Sequence, residues 1–139
     1  MCLRGASAVE KVLRADTTSL RALVVWAHFT PSDHLIVLPG TRALARVYDP
    51  RAVQYWDRDR LLSRTMVRDL PADTLRSVAQ ISANSAVAWD FVALFRPGVR
   101  WLDRFPIPDW AGRPVVDVVD SLSRHLLAIE RSTPTHSTQ

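Results

Sequence analysis

The chain has 139 residues, 47% of them hydrophobic and 23% charged, with a formal net charge of +4. That length fits one domain around one core, and no run approaches the ~20 consecutive apolar residues that a membrane span needs. The only cysteine, Cys2, excludes an intramolecular disulfide and any metal site built on several thiolates. All basic residues except Lys11 are arginines, spread along the chain and often beside acids, as in Asp57-Arg58-Asp59-Arg60. No basic stripe or tail stands out, which argues against a nucleic-acid partner.

Residues 3 to 14 place Val9, Val12 and Leu13 at helical spacing, with Glu10 and Arg14 as an i,i+4 pair on the outer side. After the break at Asp16-Thr17-Thr18-Ser19, Leu20 to Phe29 is an apolar run of strand length and predicts a central, largely buried strand. Thr30-Pro31-Ser32-Asp33 ends it, because proline lacks the N–H that a ladder needs and Ser and Asp favour turns. A short helix is predicted over Thr41 to Tyr48 and an extended segment over residues 52 to 56. A firmer helix follows from about Asp59 to Leu70, with Leu62, Met66 and Leu70 on one face and Pro71 ending it.

Residues 71 to 86 are small and polar and predict a surface excursion with one helical turn. Val87 to Phe95 and Val99 to Leu102, separated by Pro97-Gly98, predict a β-hairpin. Phe105 to Pro114 carries three prolines and a glycine and predicts a loop. Val115 to Arg131 places Val115, Val118, Val119, Leu122, Leu126 and Ile129 at helical spacing, the strongest periodic signal in the chain. Residues 1–131 are therefore expected to form one domain, with 132–139 a disordered C-terminal tail.

The predicted order, with Cys2 at the start of the first helix and a Pro-Gly hairpin before the last, resembles the thioredoxin-like superfamily. More narrowly, Val24-Val25-Trp26, Gln54-Tyr55-Trp56-Asp57 with Leu61-Leu62-Ser63, and Val87-Ala88-Trp89-Asp90 with Phe95-Arg96-Pro97-Gly98-Val99-Arg100-Trp101 are similar to an uncharacterised bacterial thioredoxin-like group. The resemblance implies an α/β, three-layer thioredoxin-like sandwich, N-terminally truncated, with a central strand and a β-hairpin flanked by helices. Residues 2 to 131 correspond to the part from the second cysteine of a Cys-x-x-Cys motif onward. The first cysteine would lie three positions before Cys2, ahead of Met1, and the proline that the family holds in a cis bond before the hairpin is absent from residues 82 to 88.

In that family the first thiol attacks as a thiolate at a helix N-terminus and the second resolves the mixed disulfide. The resemblance thus gives Cys2 the resolving position, where alone it cannot complete dithiol exchange. The expected function is an interaction or accessory module without independent thiol-disulfide activity. The alternative is a thiol-disulfide oxidoreductase whose true N-terminus supplies the first cysteine. Met1 to Ala6 lacks the pattern of a secretory signal, so the chain as written is expected in the cytoplasm, and with a longer N-terminus it would be exported.

Trp26, His28, Asp33, His34 and Trp110 are the candidate binding residues. His28, Asp33 and His34 surround the loop after the first predicted strand, where imidazole and carboxylate could act as acid and base, but their spacing matches no metal motif. Ser32-Asp33-His34 has the residue types of a nucleophilic triad without the geometry, since adjacent residues do not normally meet its requirements. Trp56, Trp89, Trp101 and Trp110, with Tyr55 and Phe105, are expected as core or sheet packing. Phe105-Pro106-Ile107-Pro108-Asp109-Trp110 is an exception, a proline-stiffened apolar loop that either folds inward or meets a partner. Asp57 and Asp90 are expected to anchor arginines or cap turns. No metal and no cofactor is implied; a protein partner is admitted, and so is a homodimer paired through an open sheet edge.

Overall fold

The computed structural model describes residues 3–18, 20–27, 40–82 and 85–132, and they form an α/β arrangement of five helices and six short strands. In chain order these are α1 (Leu3–Ala15), β1 (Ala22–Ala27), α2 (Thr41–Leu44), β2 (Ala52–Asp57), α3 (Leu61–Asp69), α4 (Ala72–Val78), β3 (Ala79–Ser82), β4 (Ser85–Ala88), β5 (Val92–Leu94), β6 (Trp110–Gly112) and α5 (Val115–Ser132). Among the described residues the strands pair as three two-stranded sheets: β1 with β2 in parallel, β3 with β4 and β5 with β6 antiparallel.

The three longest helices follow the apolar periodicity. α5 buries Val115, Leu122 and Leu126, and α1 lays Val12 and Leu13 against it. Val12, Leu122 and Leu126, with Leu94 of β5 and with Val119 and Trp110 partly buried around them, form one core. α3 buries Met66 completely and is followed by Leu70, whose extended backbone is what proline demands of the residue before it. Met66 and Leu70 join Val78, Ala79 and Ala88 in a second core, braced by the Ser63 hydroxyl accepting the Ala88 N–H at 2.8 Å. The small β5–β6 sheet serves both: Leu94 and Trp110 face the first core, while Ala111 packs on the second.

Four expectations are corrected. β1 is not a central strand among the described residues, because its only hydrogen-bonded neighbour there is β2 and alternate side chains stay outside, with Leu23 70% exposed. The described residues of the 71–86 stretch are no surface excursion, since they supply α4, β3 and the start of β4 and bury Val78 and Ala79. Pro97-Gly98 does form a tight turn, with the Val99 N–H donating to Arg96 O at 3.4 Å and Gly98 at φ +87, the left-handed conformation that glycine supplies. Yet residues 99–102 form no strand behind it. The partner of β5 is β6, inside the proline-rich segment expected to be loop throughout.

Glu10 is also not an outer-face residue. Its pair with Arg14 exists at 2.7 Å, but the residue is buried and its second oxygen accepts the Tyr48 and Asp49 N–H groups at 2.9 and 3.2 Å. Burial alone would raise this carboxyl; the bonds from Arg14, Tyr48 and Asp49 outweigh that and hold it below its ordinary value. Arg51 works beside it, donating to Asp49 Oδ1 and Oδ2, Asp16 Oδ2 and the carbonyls of Thr18 and Leu13. Its bond to Asp49 lowers that carboxyl to about 2.

A carboxyl held lower in the folded than in the unfolded chain adds stability above its unfolded value, and that part is lost as pH falls toward the folded value. The contribution of Asp49 should therefore be complete above pH ~4 and disappear by about pH 2. Urea titrations across that range check it: Asp49→Asn should flatten the acid limb. Glu10→Ala, which strips two backbone donors of their acceptor, should cost about 1 kcal/mol at pH 7.

Candidate functional site

Cys2, His28, Asp33 and His34 lie outside the described residues. Trp26 is a structural residue: it is buried, and its Nε1–H donates to Gln54 Oε1 at 2.8 Å. The Gln54 amide donates in turn to Leu44 O and Val47 O at 3.0 and 3.1 Å, so the inner face of β1–β2 is tied to the turn after α2. Trp110 is also turned inward, stacked on the His125 ring at 4.9 Å and lying against Gly112, where an added Cβ would meet the indole at 3.1 Å. The His125 Nδ1 is fixed 2.8 Å from Ser121 O on its own helix. Trp26 and Trp110 lie on different elements with different partners, and the structure does not bring them into one site.

Asp57 caps a helix as expected, accepting the Leu61 and Leu62 N–H groups at the start of α3 at 2.8 and 2.9 Å. Asp90 sits in a left-handed turn at φ 48, with its Oδ1 buried and without a hydrogen-bond partner among the described residues. Among the described residues no cluster of three or more His, Cys, Asp or Glu could hold a metal ion, and no helix is long and apolar enough to cross a membrane.

The surface that stands out is the segment between β5 and β6. Both of its ends are pinned by aspartates. Asp109 accepts the Arg96 N–H at 2.8 Å and its Nε–H at 2.7 Å, while the Asp109 N–H returns to Leu94 O at 2.9 Å. Farther along, Asp69 at the end of α3 accepts the Phe105 N–H at 2.8 Å and two bonds from Arg68. The hydrogen bonds from Arg68 and then from Phe105 lower the Asp69 carboxyl to about 2, and Arg96 lowers that of Asp109. Phe105 turns inward, meeting Phe95 and Trp101 edge-on at 6.0 and 5.1 Å.

What this frame holds up is apolar and open to water. Trp101 is 50% exposed, Leu102 79% and Ile107 61%, with the exposed Arg100 before them and the exposed Arg104 between Leu102 and Ile107. The expected ambiguity of the proline-rich segment resolves residue by residue: Trp110 and Phe105 fold in, and Ile107 stays out. Trp101 was expected in a strand and instead stands at the exposed tip. The Arg-Trp-Leu-Asp-Arg run after the turn carried the signal, because a real strand there would have needed a partner for its backbone.

Exposure of this kind adds little to folding, whereas the pins do. Leu102→Ser should leave stability within about 0.5 kcal/mol of the parent. Asp69→Ala should lower it more and red-shift or broaden the Trp101-dependent part of the fluorescence; equal effects of the two substitutions in denaturant titrations would mean that the loop is not held by its base.

Set against protein-family models, curated proteins and solved structures, the chain has no match in any of the three.

Proposed function

We propose that the chain is an interaction or accessory module, without independent thiol-disulfide activity, that presents the 99–107 loop to a protein partner. The observation that carries this reading is the exposure of Trp101, Leu102 and Ile107 on a segment pinned at its base by Asp69 and Asp109. Rigid presentation lowers the ordering cost of association, and Trp and Arg are the side chains that most often dominate binding energy. Arg100 and Arg104 flank the apolar tip, so the partner surface is an apolar pocket with an acidic rim.

The thioredoxin-like part of the proposal rests on the resemblance of the sequence and is supported by the helix–strand start at α1 and β1 and by the closing helix α5 packed on α1. The absence of dithiol exchange rests on Cys2 being the only cysteine in the chain. Insulin reduction tests it: the chain should show no turnover, and turnover that Cys2→Ser abolishes would sink the accessory reading in favour of the oxidoreductase.

The loop is tested with a displayed library of random peptides. The chain should enrich peptides that combine apolar anchors with Asp or Glu, and the Leu102→Ser/Ile107→Ser double variant should lose at least tenfold in affinity for them. Leu61→Ser, at an equally exposed leucine on α3, should not. Peptides that bind the double variant as tightly as the parent would end the proposal.

A second surface favours a second copy of the chain. On the outer face of β1–β2, Leu23 lies beside Val53 and Val25 beside Tyr55, all exposed, and each strand has one edge unpaired among the described residues. Sedimentation at micromolar concentration should find a dimer that Leu23→Lys/Tyr55→Lys converts to a monomer. A monomeric parent removes this reading and leaves the loop untouched.

A further inference from the structure

A shallow, open groove of about 490 Å³ lies between the N-terminal half of α1 and the first turns of α5. α1 contributes Arg4, Ser7, Ala8 and Lys11, one stripe of the helix by their spacing of three, four and seven. Val116, Val119 and Asp120 of α5 form the facing wall, and Arg46, from the turn after α2, closes one side.

The chemistry of the lining is two-sided. Leu3, Ala8, Val116 and Val119 offer an apolar wall, and Arg4, Lys11 and Arg46 offer three cations against the single carboxylate of Asp120. None of the three cations makes a hydrogen bond or ion pair with another described residue, and Asp120 takes no salt bridge from any of them. This contrasts with Arg14, Arg51, Arg68 and Arg96, which carboxylates nearby engage. Among the described residues the lining thus carries an excess of two positive charges beside an apolar wall. A phosphate monoester carries about −1.5 to −2 at pH 7 and offers three acceptor oxygens, enough for two guanidinium groups, an ammonium and the Ser7 hydroxyl.

We propose that this groove binds a small phosphate monoester with an apolar body, its phosphate held by Arg4, Lys11 and Arg46 and its body lying on Val116 and Val119. The site is distinct from the 99–107 loop and does not depend on the reading given to that loop. A simple carboxylate lacks the second charge, and inorganic phosphate lacks the apolar body; both should bind more weakly.

Phenyl phosphate, inorganic phosphate and benzoate are the probes, titrated into the full chain with amide chemical shifts and calorimetry as readouts. Phenyl phosphate should shift the amides of Ser7, Lys11 and Val119 and bind at least fivefold more tightly than either other probe. Lys11→Ala and Arg46→Ala should each weaken it at least fivefold, Asp120→Asn should tighten it, and Arg64→Ala, an exposed cation on α3, should leave it unchanged. All four positions are at the surface, and unchanged circular dichroism confirms that each variant is folded. Equal affinity for phenyl phosphate and inorganic phosphate would overturn the apolar part of the proposal. Shifts elsewhere, or affinities that neither Lys11→Ala nor Arg46→Ala changes, would overturn the site.

Discussion

Arg51 holds together parts of the chain that hydrophobic burial alone would leave loosely related. Its guanidinium reaches the carbonyl at the end of α1, the Asp16 carboxylate and Thr18 carbonyl of the following turn, and the Asp49 carboxylate just before β2. Arg51 O then accepts the Ala22 N–H at 3.1 Å, which starts the parallel register of Ala22 with Ala52. Glu10 supplies the matching anion, catching the Tyr48 and Asp49 N–H groups from the side of α1. A two-stranded parallel pair has little cooperative support of its own. Here its register is set by charged groups at its mouth, and the buried Trp26–Gln54 bond secures the inner face.

The two cores are linked by a sheet of only six residues, and this explains why the loop beside it can be both exposed and well placed. β6 touches both α4 and α5, with Ala111 on one core and Trp110 on the other, so it cannot shift without disturbing both, and β5 is paired to it while packing on α5. The chain leaving β5 must return to β6 sixteen residues later. Asp109 and Asp69 fix its backbone at two points, Phe105 and the buried Pro108 are drawn in, and Trp101, Leu102 and Ile107 stay open to water.

Legibility in the sequence followed periodicity. α1, α3 and α5 each carry apolar residues at helical spacing over nine or more residues, and Met66 and Leu122 could be assigned to buried faces from that alone. β1 is apolar throughout, a pattern usual for strands covered on both faces, so nothing local reveals that Leu23 is left exposed. α4 has seven residues and β3 and β4 four each, too short and too rich in Ala and Ser for either period to register. The Pro97-Gly98 turn was readable as a turn; what it could not specify was the strand that pairs across it. That depended on the Arg96–Asp109 pair, a contact between residues thirteen apart. The inward fate of Glu10 was hidden for the same reason, since its backbone partners lie 38 and 39 residues away.

The same limit separates the two kinds of arginine in this protein. In the sequence they look alike, scattered and next to acids, which argued against any concentrated positive surface. Folding divides them: Arg51, Arg68 and Arg96 are consumed by carboxylates that fasten loops to helices, and their charge is neutralised where it is used. Arg46 is engaged by no described carboxylate, while Asp49, three residues on, is bonded to Arg51. Lys11 is likewise engaged by none, while Glu10, next to it in the chain, turns inward to Tyr48 and Asp49. The helix that supplies Glu10 to the clamp thus also carries two of the three cations that line the α1–α5 groove, so one short element serves both the fastening of the fold and the charge of its surface.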